Sequence, residues 1–99
     1  MEGSLTHEAF NQNVNSKFQV KADDNTPVEL ELFEVSEFKV YPRQEEFTVT
    51  FRGPLNAYLD QGLRQFTHDQ MGEFELFIVP VKKREDGFYY EAVFNRVRE

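Results

Sequence analysis

From residue 17 onward the apolar side chains recur at every second position, and this period of two constrains the chain more than any other feature. Phe18 and Val20 alternate with Lys17, Gln19 and Lys21; Val28, Leu30 and Leu32 alternate with Glu29 and Glu31; Phe47, Val49 and Phe51 alternate with Thr48 and Thr50 up to Gly53-Pro54. Successive side chains of a strand point to opposite faces, so each run predicts a strand with one apolar and one polar face. Asp23-Asp24-Asn25-Thr26-Pro27 supplies turn chemistry between the first two runs, which therefore read as a hairpin. After Leu32 the alternation slips, with Phe33 and Val35 apolar at odd positions and Phe38 and Val40 at even ones. A one-residue slip sends each side chain to the other face, so a bulge or sharp bend is expected near residues 33–37. Pro42-Arg43-Gln44 reads as the next turn.

Residues 54–62, "PLNAYLDQG", form a longer connection in which Leu55, Tyr58 and Leu59 make a helical turn or a packed loop, closed by Gly62. A shorter strand is expected over 63–67, a turn over 68–72 and a further strand over 74–81. In that strand "LFIVPV" is apolar on both faces and requires a cover on its second face, supplied by the N-terminal helix or by a second copy of the protein. Pro80 lacks the N–H of a central ladder position and belongs at a strand end, a bulge or an edge-facing site. Asp86-Gly87 reads as a two-residue hairpin turn that places Glu85 opposite Phe88, Lys83 opposite Tyr90 and Lys82 opposite Glu91. Residues 88–94, "FYYEAVF", make the last strand before the polar tail 95–99.

Helical signals are confined to the start. Thr6 caps a turn beginning at His7, Leu5 and Phe10 are spaced as a hydrophobic staple, and Phe10 and Val14 recur at i and i+4, predicting a short helix over about 6–14. Ninety-nine residues without internal repeats describe one domain, 1–99, with its core over about 5–96. The expected fold is mainly β, α+β at the margin: about six antiparallel strands in a small curled barrel or two-layer sandwich, with one short N-terminal helix.

Composition removes several functions. A net charge of −7, with 18 acids against 11 bases, opposes binding to nucleic acid and to anionic membranes. The absence of cysteine removes disulfides, thiol nucleophiles and sulfur-ligated metals. No apolar run approaches the about 18–20 residues of a membrane-spanning helix, the first 25 residues lack a signal-peptide run, and Met1-Glu2-Gly3 is not a myristoylation start. A soluble, cytoplasmic protein is expected.

No catalytic constellation stands out. His7-Glu8-Ala9-Phe10-Asn11 carries Asn11 where a zinc protease has its second histidine ligand. The serines are Ser4, Ser16 and Ser36, none in a nucleophile motif, and the five glycines are isolated, so no phosphate loop exists. His68, beside Asp69 and within reach of Asp60 or Glu73, reads as a hydrogen-bonded turn residue ahead of a metal ligand. No catalytic, cofactor-binding or metal residue is assigned, and no cofactor is expected. Lys82, Lys83 and Arg84 face Phe88, Tyr89 and Tyr90 across the last hairpin, a candidate interaction surface on which Tyr and Arg are favoured anchors.

At "FTVTFRGP", "LDQGLRQFTHDQMGEFELFIVPV" and "YYEAVFNR" the chain resembles a small bacterial domain-of-unknown-function family of about 100 residues. The resemblance runs from about Leu5 to Arg96 and rests on Phe51-Arg52-Gly53-Pro54, Gln61-Gly62, Leu76-Phe77-Ile78-Val79-Pro80 and Tyr90-Glu91-Ala92-Val93-Phe94-Asn95. It implies a small β domain, some of whose members are encoded beside phage-tail-collar-like proteins, and carries over no catalytic residue. The favoured reading is a non-enzymatic protein-interaction or assembly module, an accessory of a phage-tail-like assembly, with a protein partner or self-association. The alternative is a small-ligand binder or hydrolytic enzyme with a pocket lined by His68, Asp69, Asp60, Arg52 and Tyr58.

Overall fold

One short helix and seven strands follow in the order α1 (His7–Asn11), β1 (Lys17–Lys21), β2 (Pro27–Val35), β3 (Lys39–Val40), β4 (Gln44–Gly53), β5 (Gly62–His68), β6 (Gly72–Arg84) and β7 (Gly87–Val97). The structure, a computed structural model, describes residues 5–97. The expectations for Met1-Glu2-Gly3, for Ser4 and for the last two residues of the tail lie outside the described residues. The strands hydrogen-bond in the order β2-β1-β5-β6-β7-β4, and β4 pairs back onto β2, so six strands close into an antiparallel barrel with β3 added beside β4. Closure decides between barrel and sandwich, and it removes most of the sheet edges that an open sheet would leave exposed.

The period of two places the core where the sequence puts it. Phe18 and Val20 of β1, Val28, Leu30 and Leu32 of β2, and Phe47, Val49 and Phe51 of β4 all point into the barrel and are buried. Their rings interlock: Phe18 meets Phe51 edge-on at 5.3 Å, and Phe51 meets Phe66 at 5.1 Å. Each fully buried Phe or Leu contributes roughly 1.5–3 kcal/mol, which is how so short a chain stays folded. The slip after Leu32 is a bulge between Leu32 and Glu34 in the β2–β4 pairing, as the alternation predicts. Pro80 likewise sits at a register shift between Pro80 and Lys82, one of the places where a proline is tolerated in a strand.

Four local expectations are corrected. The helix ends at Asn11 and not near residue 14, because Asn13 turns back on it: its side chain donates to the Ala9 carbonyl at 2.7 Å and its N–H to the Phe10 carbonyl at 2.9 Å. The last hairpin turns at Glu85-Asp86, so Arg84 faces Gly87, Lys83 faces Phe88, Lys82 faces Tyr89 and Val79 faces Glu91. Gly87 belongs to the strand, with a φ of 147° and no room for a side chain against Gly53 and Arg52. The expected Lys82–Glu91 pairing therefore does not form. Finally, the helix does not cover the outer face of "LFIVPV": Phe10 enters the barrel end between Phe74 and Phe94, at 6.2 and 5.3 Å, and Phe77 stays exposed.

In β5 the parity is set by Phe66, so Arg64 and His68 are buried and Leu63 is exposed. The connection 54–62 is a packed loop anchored by buried Leu59.

Candidate interaction face

The residues expected at the last hairpin divide between two surfaces. On the outer wall, Tyr89 is buried although it points away from the core, because Phe33 packs edge-on at 5.2 Å and Lys82 and Arg84 lie over its ring at 5.2 and 5.9 Å. Its hydroxyl donates to Asp86 at 2.9 Å, and Arg52 donates to the same carboxylate at 3.0 Å and to Glu31 at 2.6 Å. The Tyr89 hydroxyl first, then Arg52, hold the Asp86 carboxyl below the usual range, and Glu31 leads in making Arg52 more basic. At the barrel mouth, Lys83 lies 5.6 Å over Phe88, which also meets Tyr58 at 5.0 Å. Tyr90 is in the core; its oxygen accepts the Leu59 N–H at 3.0 Å and burial pushes its pKa up. At this corner Lys82, Lys83 and Arg84 remain exposed while lying over the Tyr89 and Phe88 rings.

The five residues of the alternative pocket do not all converge: Tyr58 and Asp60 both lie near the Tyr90 hydroxyl, whereas His68 and Asp69 sit together at the other end of β5. Arg52 is held on the outer wall between Glu31 and Asp86, and Tyr58 packs on Phe88. Asp60 offers its backbone carbonyl to Arg64. His68 lies at the end of β5 furthest from Gly62, its ring 4.1 Å from Phe18, with Asp69 exposed beside it. His68 does meet a serine: Ser16 Oγ is 2.8 Å from Nε2. However, Nδ1 accepts the N–H groups of Gln70 and Met71 at 3.0 and 3.1 Å, which leaves the ring proton on Nε2. Nε2–H then donates to Ser16, whose own proton goes to the Asn13 carbonyl at 2.5 Å. The imidazole has no lone pair facing the hydroxyl and cannot serve as its base. Among the described residues, no three His, Asp or Glu side chains gather as metal ligands.

The feature left open lies elsewhere on the wall. Leu63 of β5 pairs with Phe77 of β6, and both face outward, 61% and 52% exposed. Val93 of β7 is 63% exposed, and with Phe77, Val79, Val81 and Glu91 it lines a groove of about 260 Å³. The two-sided "LFIVPV" signals half of this surface; the parity of Leu63 and the outward Val93 become visible only once strand neighbours are known. No described helix is long and apolar enough to cross a membrane.

The family described as a domain of unknown function (DUF6916) matches residues 5–94. No curated protein and no solved structure matches the chain.

Proposed function

The chain belongs to the DUF6916 family of domains of unknown function, and we propose that it works as a non-enzymatic protein-interaction module in the cytoplasm. The observation that supports this reading is the exposed apolar strip formed by Leu63, Phe77, Val81 and Val93 on three neighbouring strands. Contiguous apolar surface on a small domain is costly to leave in water and marks a site of association. The ligand-binding or hydrolytic alternative has less support, because His68 and Asp69 lie at the end of β5 opposite to Asp60. A net charge of −7 turns the module toward protein and away from nucleic acid. Components of phage-tail-like assemblies are the first partners to examine.

The test is a native pull-down with the tagged protein and with its Phe77→Asp/Val93→Asp variant, read by mass spectrometry and paired with light-scattering masses of both pure proteins. Stoichiometric recovery of a partner, or a dimer, that the variant loses is the expected result. A monomer that recovers the same background as its variant overturns the reading.

A further inference from the structure

The groove lies where two strands part. β6 pairs with β5 from Gly72 to Ile78 and with β7 only from Val79 onward, while β7 beyond Glu91 pairs only with β4. Among the described residues, 92–97 therefore pair with no strand on their β6 side. In an antiparallel strand every second residue turns its N–H and C=O to the same edge, so this stretch presents an unpaired edge of about 20 Å toward β6. From within, Phe10 packs against Phe74 of β6 and Phe94 of β7, at 6.2 and 5.3 Å.

Three properties of this notch specify its occupant. Free backbone groups along an edge are matched by an extended strand and not by a helix. The floor between Phe77 and Val93 is apolar and takes an aliphatic side chain. Glu91 stands on its wall, and exposed Glu73 and Glu75 lie upstream on β6; none of the three has an ion-pair partner among the described residues. A cationic segment fits that charge, and the chain's −7 favours its approach.

We propose that the notch between β6 and β7 receives an extended, alternating apolar and basic segment of a partner protein, added as a strand along residues 92–97. Its apolar side chain enters the groove and its Lys or Arg meets Glu91. The inference rests on the interaction-module reading and gives that module its binding mode and the chemistry of its partner.

The probe is a capped eight-residue peptide of alternating Val and Lys, compared with its Val and Glu counterpart and with a Val and Lys peptide N-methylated at alternate residues. Titration is followed by isothermal calorimetry and by amide hydrogen exchange. The expected result is saturable binding at least ten-fold tighter for the unmodified Val and Lys peptide than for either control, with exchange slowed at residues 92–97. Glu91→Lys reverses the preference between the Lys and Glu peptides. Val93→Lys, at a position already exposed, removes binding and provides the same reading should Glu91→Lys fail to fold. Equal binding of the N-methylated peptide shows charge attraction without strand pairing and overturns the proposal, as does slowed exchange outside the notch. A dimer of the pure protein protected at residues 92–97 assigns the notch to a second copy and likewise overturns it. If Phe77→Asp/Val93→Asp loses a partner in the pull-down while no peptide binds, strand addition falls and the module reading stands.

Discussion

Ser16 accepts the Nε2 proton of His68 at 2.8 Å, and this direction of donation fixes the imidazole as a neutral structural group. Protonating Nδ1 would expel the N–H groups of Gln70 and Met71 from their acceptor. Burial accordingly holds the His68 pKa below its ordinary 6.5, with Asp69 opposing more weakly. The unfolded chain then binds the proton more readily than the folded one, so the stability from His68 is complete above pH 6.5 and is lost as pH falls from there toward the lowered folded value. Denaturant midpoints measured between pH 8 and 5 for the wild type and His68→Gln check this. The variant is expected to lose about 2–4 kcal/mol at pH 8, for three hydrogen bonds and a packed ring, and to lack the wild type's additional decline below pH 6.5.

Among the described residues, Arg64 is the one buried strong base, with a side chain 8% exposed. It donates to Asp23 at 2.6 Å and to the Asp60 carbonyl at 2.9 Å, while its Nε finds no partner. The Asp23 carboxylate is 80% exposed, so most of its solvation survives pairing and the desolvation cost falls on the guanidinium. Asp23→Ala is expected to cost about 1–2 kcal/mol, because it leaves a buried charge with one fewer acceptor. Arg64→Met removes charge and desolvation together and is expected to lie within about 1 kcal/mol of the wild type. A larger loss for Arg64→Met than for Asp23→Ala in urea unfolding would contradict this account.

Two glycines with positive φ separate strain from crowding. Gly72 has φ 80° and nothing within 4 Å of where a Cβ would stand. Gly72→Ala is therefore expected to cost about 1 kcal/mol of backbone strain alone. Gly87 has φ 147° and lies against the Gly53 carbonyl oxygen, with Arg52 Cγ 3.1 Å from the same Cβ position. Gly87→Ala adds a backbone clash to the strain and is expected to cost about 3 kcal/mol or more. Thermal unfolding of the two variants side by side measures the difference.

Where alternation fixed parity, the sequence was enough: the β1–β2 hairpin, the β4 face of Phe47, Val49 and Phe51 and the bulge after Leu32 all follow from it, and the irregularity at Pro80 follows from the missing N–H of proline. It failed where a local signal has two meanings. Asp86-Gly87 is a common turn pair, but this glycine answers to a neighbouring strand that the sequence does not bring near. Leu63 and Phe66 differ in parity, and only packing decides that Phe66 goes inside and takes Arg64 with it. The candidate face was legible in part: "LFIVPV" showed that one strand has two apolar sides, whereas the divergence of β6 from β7 at Val79 is a property of pairing partners and leaves no trace in a single strand.

Phe10 and Phe77 are the same side chain in opposite situations, and the contrast tests both the helix and the open face. Phe10 is fully buried and contacts Phe47, Phe74 and Phe94, whereas Phe77 is 52% exposed on the groove. A helix of five residues has no stability of its own, so α1 is held by this anchor with the Thr6 cap, whose hydroxyl accepts the Ala9 N–H at 3.1 Å. Phe10→Ala is expected to cost about 3–5 kcal/mol and to expose the amides of α1 to exchange, because the cavity it leaves lies at the end of the barrel. Phe77→Ala is expected to change stability by less than about 1 kcal/mol while weakening association through the groove. Equilibrium unfolding of the isolated variants gives the first comparison; a Phe77→Ala loss as large as that of Phe10→Ala would mean that the outer face supports the fold and is not free for a partner.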